Sequence, residues 1–456
     1  MARTQAPETT VLARLRQSRA QKVKVAVTDI DGVLRGKYIH VDKFLSALEG
    51  GFGFCNVVFG WDSGDVCYDD ARYTGWHTGY PDALVRLDPN TYREVPWDGD
   101  VPFLLGDFVQ ADGAPLQICP RQLLKRVVAR LGDAGFAAYA SLEYEFFHFK
   151  ETPESLAQKS YVKPEPLTPG MFGYSVLRMN QNREYVNALM DELLRFKVPL
   201  EGLHTETGPG VLEAAILYSD PVEAADRAVL FKTGSKEIAQ RFGIMPTFMA
   251  KWNPDLPGCS GHIHQSLWDS GRKKNAFFDA KNERKMSKVF ESYIAGQLAC
   301  LPELLPMYAP TINSYKRLVE GAWAPTRANW GIDNRTTALR AIPGSAKSTR
   351  LETRVNGSDS NPYLALSAAL ASGLYGIEKK LSLAAPIPGN GYADRNAPAL
   401  PSSLEEATQR FERSKLARSF FGDSFVDHFS TTRRWEARQF ARAVTDFEIK
   451  RYFEII

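Results

Sequence analysis

Residues 248–267, FMAKWNPDLPGCSGHIHQSL, place two histidines two positions apart behind a turn rich in proline and glycine. On a strand, side chains alternate between faces, so His262 and His264 point the same way. Gly258 and Gly261, just before them, let the backbone pass close to a bulky neighbour. A buried strand end with two hydrogen-bonded histidines would satisfy this stretch taken alone. The chain has only 7 His, however, and the same alternation returns elsewhere with carboxylates and arginines. A sheet with one polar face is therefore the strongest constraint on the fold.

In AAYASLEYEFFHF, Glu143 and Glu145 share one strand face while Tyr144 and Phe146 share the other. Two like charges on a buried face are costly without a cation, so the pair is either exposed or holds metal. In LEGLHTETGPGVLEAAI, Glu206 and Glu213 flank a Gly-Pro-Gly turn, and two strands joined there bring both carboxylates together. In TRLETRVNGSDSNPYLALSAAL, Arg350, Glu352 and Arg354 alternate on one face before an Ala-rich packed helix. Arg317, Arg335 and Arg340 lie in the loop-rich basic segment upstream.

At 456 residues the chain exceeds what one hydrophobic core usually serves. The boundary is expected near residue 115, giving a small, mostly β unit over 1–115 and a larger unit over 116–456. Strands are expected at 23–27, 35–39, 84–87 and 103–108. Helices are expected from residue 119, at 182–196, at 221–242 and at 286–304, after a polar arm or short helix over residues 1–21. The last sixty residues read as surface helices. A net charge of +3 and no basic stripe argue against a nucleic-acid binder. Five cysteines without a CxxC pair fit a reducing compartment and no zinc site. No apolar run reaches membrane-spanning length, so a cytoplasmic enzyme is expected. VKVAVTDIDGVL also matches the first motif of haloacid-dehalogenase phosphatases, with Asp29 and Asp31 in the nucleophile's place. The plainer reading is a hairpin whose Asp and Gly serve the turn.

Carboxylates with one or two imidazoles and no thiolate favour Mg²⁺ or Mn²⁺ over Zn²⁺. Arginines in number beside such ions suggest phosphate, which guanidinium groups pair with bidentately. Together they imply metal-assisted phosphoryl transfer from a nucleotide, with neither a Walker loop nor a GxGxxG motif present.

The motifs LEYEFF, HTETGPGVLE, GCSGHIHQSL, NSYKRLVEGAWAP, NRTTALRAIP and KSTRLETRVNGSDSNPYLALSAAL, in this order, resemble those of glutamine synthetases. The resemblance implies an α+β protein: a small β-grasp N-terminal domain, then a catalytic α/β domain on a curved antiparallel sheet. It implies one metal site from Glu145, Glu206 and Glu213, and a second from Glu143, His262 and Glu352. It places His264, Ser266, Arg335, Arg340, Lys347 and Arg350 at the ATP phosphates, with Arg335, Glu352 and His264 catalytic. Arg317, Arg354 and the backbone at Gly258 fall where the family grips glutamate, although Pro257 stands where an Asn is usual. Stacked homo-oligomeric rings, with active sites between subunits, are implied in the same way.

The departure lies where the amine should bind. Ammonia-using members read PGYEAP in a flap whose Glu serves ammonium; here the segment is EGAWAP, with Trp323 at the Glu position. The family's ammonium-binding Asp lies in a DGSS-type loop, for which this chain has GWDSGD, leaving Asp62 or Asp65 as substitutes. The expected activity is an ATP-dependent ligase joining glutamate to an organic amine. Glutamine synthesis from ammonia and a non-catalytic structural role are the alternatives.

Overall fold

The computed structural model describes residues 7–456. Of the expected N-terminal arm, residues 1–6 lie outside the described residues, and Pro7–Ser18 is a helix. Six strands follow: β1 (Lys22–Thr28), β2 (Leu34–His40), β3 (Phe52–Cys55), β4 (Asp82–Leu87), β5 (Arg93–Val95) and β6 (Val101–Val109). They form a sheet in the order β2-β1-β6-β4-β3, with β5 also on β6. Alternation decides what each face buries. Val23, Val25 and Val27 pack with Phe44, Phe59 and Phe108 in a core of this unit's own. Ala26, Phe103 and Leu105 pack into the larger core shared with the rest of the chain. β6 is covered on both faces, which is why VPFLLGDFV reads as an almost unbroken apolar run.

The turn after β1 is a hairpin turn. Asp29 is buried and accepts from the backbone N–H of Asp31 and Val33 and from Arg35 Nε. Asp31 is paired with Arg433 at 2.5 Å, and Asn361 donates to the carbonyls of Asp29 and Ile30. Both aspartates serve the junction of the two units, so the phosphatase-like motif is turn chemistry.

The second sheet has eight strands: β7 (Phe136–Phe149), β8 (Leu200–Thr205), β9 (Val211–Ile216), β10 (Met245–Thr247), β11 (Gly261–Asp269), β12 (Trp330–Ile332), β13 (Leu339–Ile342) and β14 (Arg350–Thr353). Their order is β12-β13-β14-β11-β7-β9-β8, with β10 on the end of β7. Every pairing is antiparallel except β12 with β13, a parallel pair within a sheet expected to be antiparallel throughout. Leu142, Tyr144, Phe146, Ile263, Leu267 and Leu351 face helices in the main core. Two of these, Lys288–Leu304 and Pro362–Glu378, approach at Gly296 and Gly376. A Cβ on Gly296 would lie 2.3 Å from the Ser372 carbonyl, so only glycine fits.

The C-terminal helices are less superficial than the sequence suggests. Leu404, Phe411, Phe421, Phe425 and Phe429 are buried in the main core, and only the last helix, Asp446–Tyr452, has no buried residue. Their polar residues cluster on the opposite side of each helix, which masks a narrow apolar stripe. Among the described residues no helix is long and apolar enough to cross a membrane.

Candidate active site

Strand register assembles the site on the face of the second sheet opposite the core residues Leu142, Tyr144, Ile263 and Leu351. β11 runs between β7 and β14, setting His262 opposite Glu143 and His264 opposite Glu352. One strand further out, Arg340 of β13 sits opposite Glu352. On the other side Glu145 of β7 is opposite Glu213 of β9, which is opposite His204 of β8. The alternation read from sequence thus becomes a row of acids and imidazoles across five strands.

His262 Nδ1 lies 3.3 Å from both Glu143 Oε1 and Glu352 Oε1, and His264 Nε2 lies 3.8 Å from Glu143 Oε2. Glu352 is further held by Arg340 Nη1 at 2.8 Å and by Arg354. Burial raises the Glu143 carboxyl, but the His262 hydrogen bond and the field of His264 hold it down at about 2. Glu352 is likewise kept far below the usual carboxylate range, against its burial, by His262, Arg354, His264 and Arg340. Burial pushes the His264 imidazole below its ordinary value.

Two donor groups could each hold a metal ion. The ligand atoms of Glu143, His264 and Glu352 lie within 4.8 Å of one another, and so do those of His204, Glu206 and Glu213. The Nε2 atoms of His262 and His264 are buried without a hydrogen-bond partner among the described residues. Carboxylate oxygens with imidazoles, no thiolate and orphaned ring nitrogens fit Mg²⁺ or Mn²⁺.

The residues expected as metal ligands lie near one another here, but the groups differ. His264 stands with Glu143 and Glu352, where the sequence reading has His262, which nonetheless touches both carboxylates. Glu145 accepts from the Ser260 N–H at 2.6 Å, and its burial raises its pKa; His204 stands with Glu206 and Glu213 in its place. His204 is absent from the sequence candidates. Its hydrogen bond to Glu213, at 3.1 Å, raises its pKa to about 9 despite burial. The signal was available: His204 and Glu206 are two apart, like His262 and His264.

A cleft of about 880 Å³ opens beside Glu143 and His264. Ser266, Lys347 and Arg350 line it, with Tyr139 and Trp268 as an aromatic wall. Arg350 Nε donates to His264 Nδ1 at 3.2 Å. Arg335 is exposed, with no ion pair among the described residues. Arg317 is buried, donating to Ser260 Oγ and the Val355 carbonyl, with Nε unpartnered among the described residues. It packs so tightly on Gly258 that a Cβ there would lie 2.6 Å from Arg317 Cγ.

Trp323 is 58% exposed on the loop after Arg317, and Glu320 in that loop is ion-paired with Arg395 at 2.8 Å. Neither substitute aspartate meets this loop through a hydrogen bond or ion pair of this chain. Asp62 accepts from Trp435 Nε1 at 2.8 Å, and Asp65 pairs with Arg35 at 2.8 Å. Beside His204 the chain places two further exposed aromatics, Phe172 and Tyr174. Three hydrogen bonds pin this segment to Thr205, and the Tyr174 ring stacks on His204 at 4.4 Å.

The sequence profile described as "Glutamine synthetase, catalytic domain" matches residues 117–452. The chain is 52% identical to "Type-1 glutamine synthetase 2" of Dictyostelium discoideum over 98% of its own length and 87% of the relative's. It is 37% identical to "Glutamate--isopropylamine ligase" of Pseudomonas sp, over 95% of each chain. It is 39% identical to a γ-glutamylethanolamide synthetase of Streptomyces coelicolor, over 95% of this chain and 92% of that one. The fold superposes on the solved GmaS–ADP complex with a TM-score of 0.85 at 26% identity, over 97% of this chain and 99% of that one. With its carboxylate–imidazole face beside a basic cleft and a family profile over most of its length, the chain belongs to the glutamine synthetase family of ATP-dependent ligases.

Proposed function

We propose that this chain joins the γ-carboxyl of L-glutamate to an organic primary amine with an apolar substituent, through a γ-glutamyl phosphate. The observation that carries this reading is Trp323, exposed on the flap at the position of an acid, while Glu320 is engaged by Arg395. An ammonium ion needs a carboxylate to desolvate it and take its proton; an indole offers an apolar face and one N–H donor. A three-carbon substituent gains roughly 2 kcal/mol from such a face, at about 0.8 kcal/mol per CH₂, and ammonium gains nothing comparable. Phe172 and Tyr174 add apolar surface beside His204. The relatives named for isopropylamine and ethanolamide support an organic amine as the acceptor, and the first of them an apolar substituent.

In this reading Glu145, Glu206 and Glu213, joined by His204, hold one Mg²⁺ or Mn²⁺, and Glu143, His262 and Glu352, joined by His264, hold another. Bound there, the ions supply neutralisation of phosphate charge. Arg335, Arg340, Lys347, Arg350 and Ser266 hold the triphosphate, while Arg317, Arg354 and the Gly258 backbone orient glutamate. A γ-carboxylate oxygen attacks the terminal phosphorus and the bond to ADP breaks, with Arg335 free to meet the transferring phosphoryl group. The amine nitrogen, as free base, then attacks the acyl carbon; the bond to phosphate breaks, and the departing phosphate takes the proton that the nitrogen sheds. We place the boundary between the units near residue 115, and leave Asp62 and Asp65 as acids that a neighbouring subunit in a ring would present.

Glutamine formation from ammonia is the second reading, favoured by the name of the 52% identical relative. Phosphate release from ATP and glutamate separates them, measured with ammonium, methylamine, isopropylamine, ethanolamine, aniline and putrescine. An alkylamine or arylamine is expected to give the highest kcat/KM. Ammonium in first place overturns the proposal, and putrescine in first place moves the enzyme to diamines.

A further inference from the structure

Asp359 is a carboxylate with only one of its oxygens satisfied. It lies in the turn before the core helix Pro362–Glu378, and its Oδ2 accepts from Thr311 Oγ1 at 2.9 Å and from Ser314 Oγ at 2.5 Å. Ser314 opens the one-turn helix Ser314–Arg317, so this carboxylate is tied to the backbone that carries Arg317. Its Oδ1 is buried with no hydrogen-bond partner among the described residues, and the same is true of Arg317 Nε. Both atoms flank Gly357: a Cβ added there would collide with Asp359 Oδ1 and lie 3.6 Å from Arg317 Nε. A buried acceptor and a buried charged donor are costly apart and favourable joined.

The charges point the same way. The hydrogen bonds that Arg317 makes go to neutral oxygens, of Ser260 and Val355. Burial lowers the pKa of its guanidinium, and Asp359 is the group that most opposes this. Lys232, on the core helix Pro221–Gln240, is a second cation nearby, donating to the Ser360 carbonyl at 2.8 Å. Burial lowers its ammonium to about 7, and Asp359 opposes this too. One acid thus faces two cations in an interior that disfavours charge.

We infer that Asp359 is a positioning residue for glutamate: its free oxygen takes Arg317 Nε when the Nη edge turns from Ser260 and Val355 to the substrate's carboxylate. This role presupposes that Arg317 binds glutamate, as proposed above, and is independent of which amine follows. A carboxylate is gripped by two parallel N–H donors, and both Nη groups are spent on protein oxygens here. A pair made from behind, through Nε, supplies the charged partner that Ser260 and Val355 do not, and fixes the plane of the fork.

Calorimetry on the full chain with Mn²⁺ tests this, giving Kd for ADP and, at saturating ADP, for L-glutamate. Neither measurement needs an acceptor amine. Asp359→Asn keeps an acceptor for Thr311 and Ser314 but loses the charge; it should raise the glutamate Kd by about tenfold or more and leave the ADP Kd unchanged. In an R317K background the same change should add less than about twofold, because the guanidinium it acts on is gone. Ser314→Ala loosens the carboxylate and should raise the glutamate Kd by about threefold, which keeps the test open if Asp359→Asn fails to fold. An unchanged glutamate Kd in the folded variants overturns the inference, and so do equal losses for glutamate and ADP or a full loss in the R317K background. If Arg317→Lys alone weakens glutamate while Asp359→Asn does not, only the role of Asp359 falls. If Arg317→Lys binds glutamate as the wild type does, Arg317 itself leaves the glutamate site, and the role of Asp359 goes with it.

Discussion

Trp323 adopts φ 57°, a left-handed conformation that a bulky side chain takes only when its surroundings impose it. Strain of this kind gathers at functional sites, and here it turns an aromatic face outward on the flap. Trp323→Ala is expected to lower kcat/KM for isopropylamine by about tenfold, some 1.4 kcal/mol, while leaving ammonium unchanged. Equal losses with both amines would remove Trp323 from the acceptor site. Arg335 makes a second residue-scale case. Arg335→Lys keeps the charge but loses the planar fork, so it should cost roughly tenfold or more in kcat. A variant indistinguishable from wild type would take Arg335 out of phosphoryl transfer.

At the scale of elements, what was legible is what alternation encodes. LEYEFF, GHIHQSL and TRLETR become β7, β11 and β14, and their polar residues reach one face because a two-residue period is a local property. Register is not local. That Glu143 meets His262 while His264 meets Glu352 follows from how β11 lies between β7 and β14, so the membership of each metal group could not be read residue by residue. Three-residue strands such as β10 and β12 carry too little pattern to be seen, and the parallel β12–β13 pair depends on the loop between them. His204 tests the regrouping. It reaches Glu213 at 3.1 Å, so whether it ligates or orients, His204→Ala should weaken Mn²⁺ binding by about 10- to 100-fold. Metal titration of phosphate release reads this directly, and an unchanged metal requirement would restore the all-carboxylate group. Glu145→Ala tests the other half of that group: Glu145 accepts from the Ser260 N–H here, and as a proposed ligand beside Glu206 and Glu213 its loss should abolish turnover at limiting metal, whereas wild-type activity would take it out of the metal site.

At the scale of the whole molecule, one buried charge network fastens the two sheets together. Arg121 is buried and donates to Asp226, Asp107 and Asp88, at 2.8, 2.8 and 2.9 Å. Lys125 reaches Asp88 and Asp107, and the Tyr363 hydroxyl donates to Asp226. Asp88 and Asp107 belong to the first unit, while Asp226 and Tyr363 lie on core helices of the second. Removing Arg121 would leave Asp226 without a cation and Asp88 and Asp107 with Lys125 alone, so Arg121→Ala should cost about 3–5 kcal/mol and unfold both units in one transition. Asp88 allows a finer test through pH. Its burial alone would raise its pKa, but Arg121 and Lys125 hold it at about 2, below the ordinary 3.8. A carboxyl whose folded pKa is depressed stabilises above its unfolded pKa and loses that contribution as pH falls through the folded one. The window is therefore from about pH 3.8 down to about pH 2, and the contribution at neutral pH is about 2 kcal/mol. Asp88→Asn should lower stability by that amount at pH 7, and its deficit against wild type should shrink below pH 4 and vanish near pH 2. Urea unfolding of both proteins at pH 7, 4 and 2.5 measures the deficit. A difference that stays constant across the three would mean that Asp88 acts through packing and not through its charge.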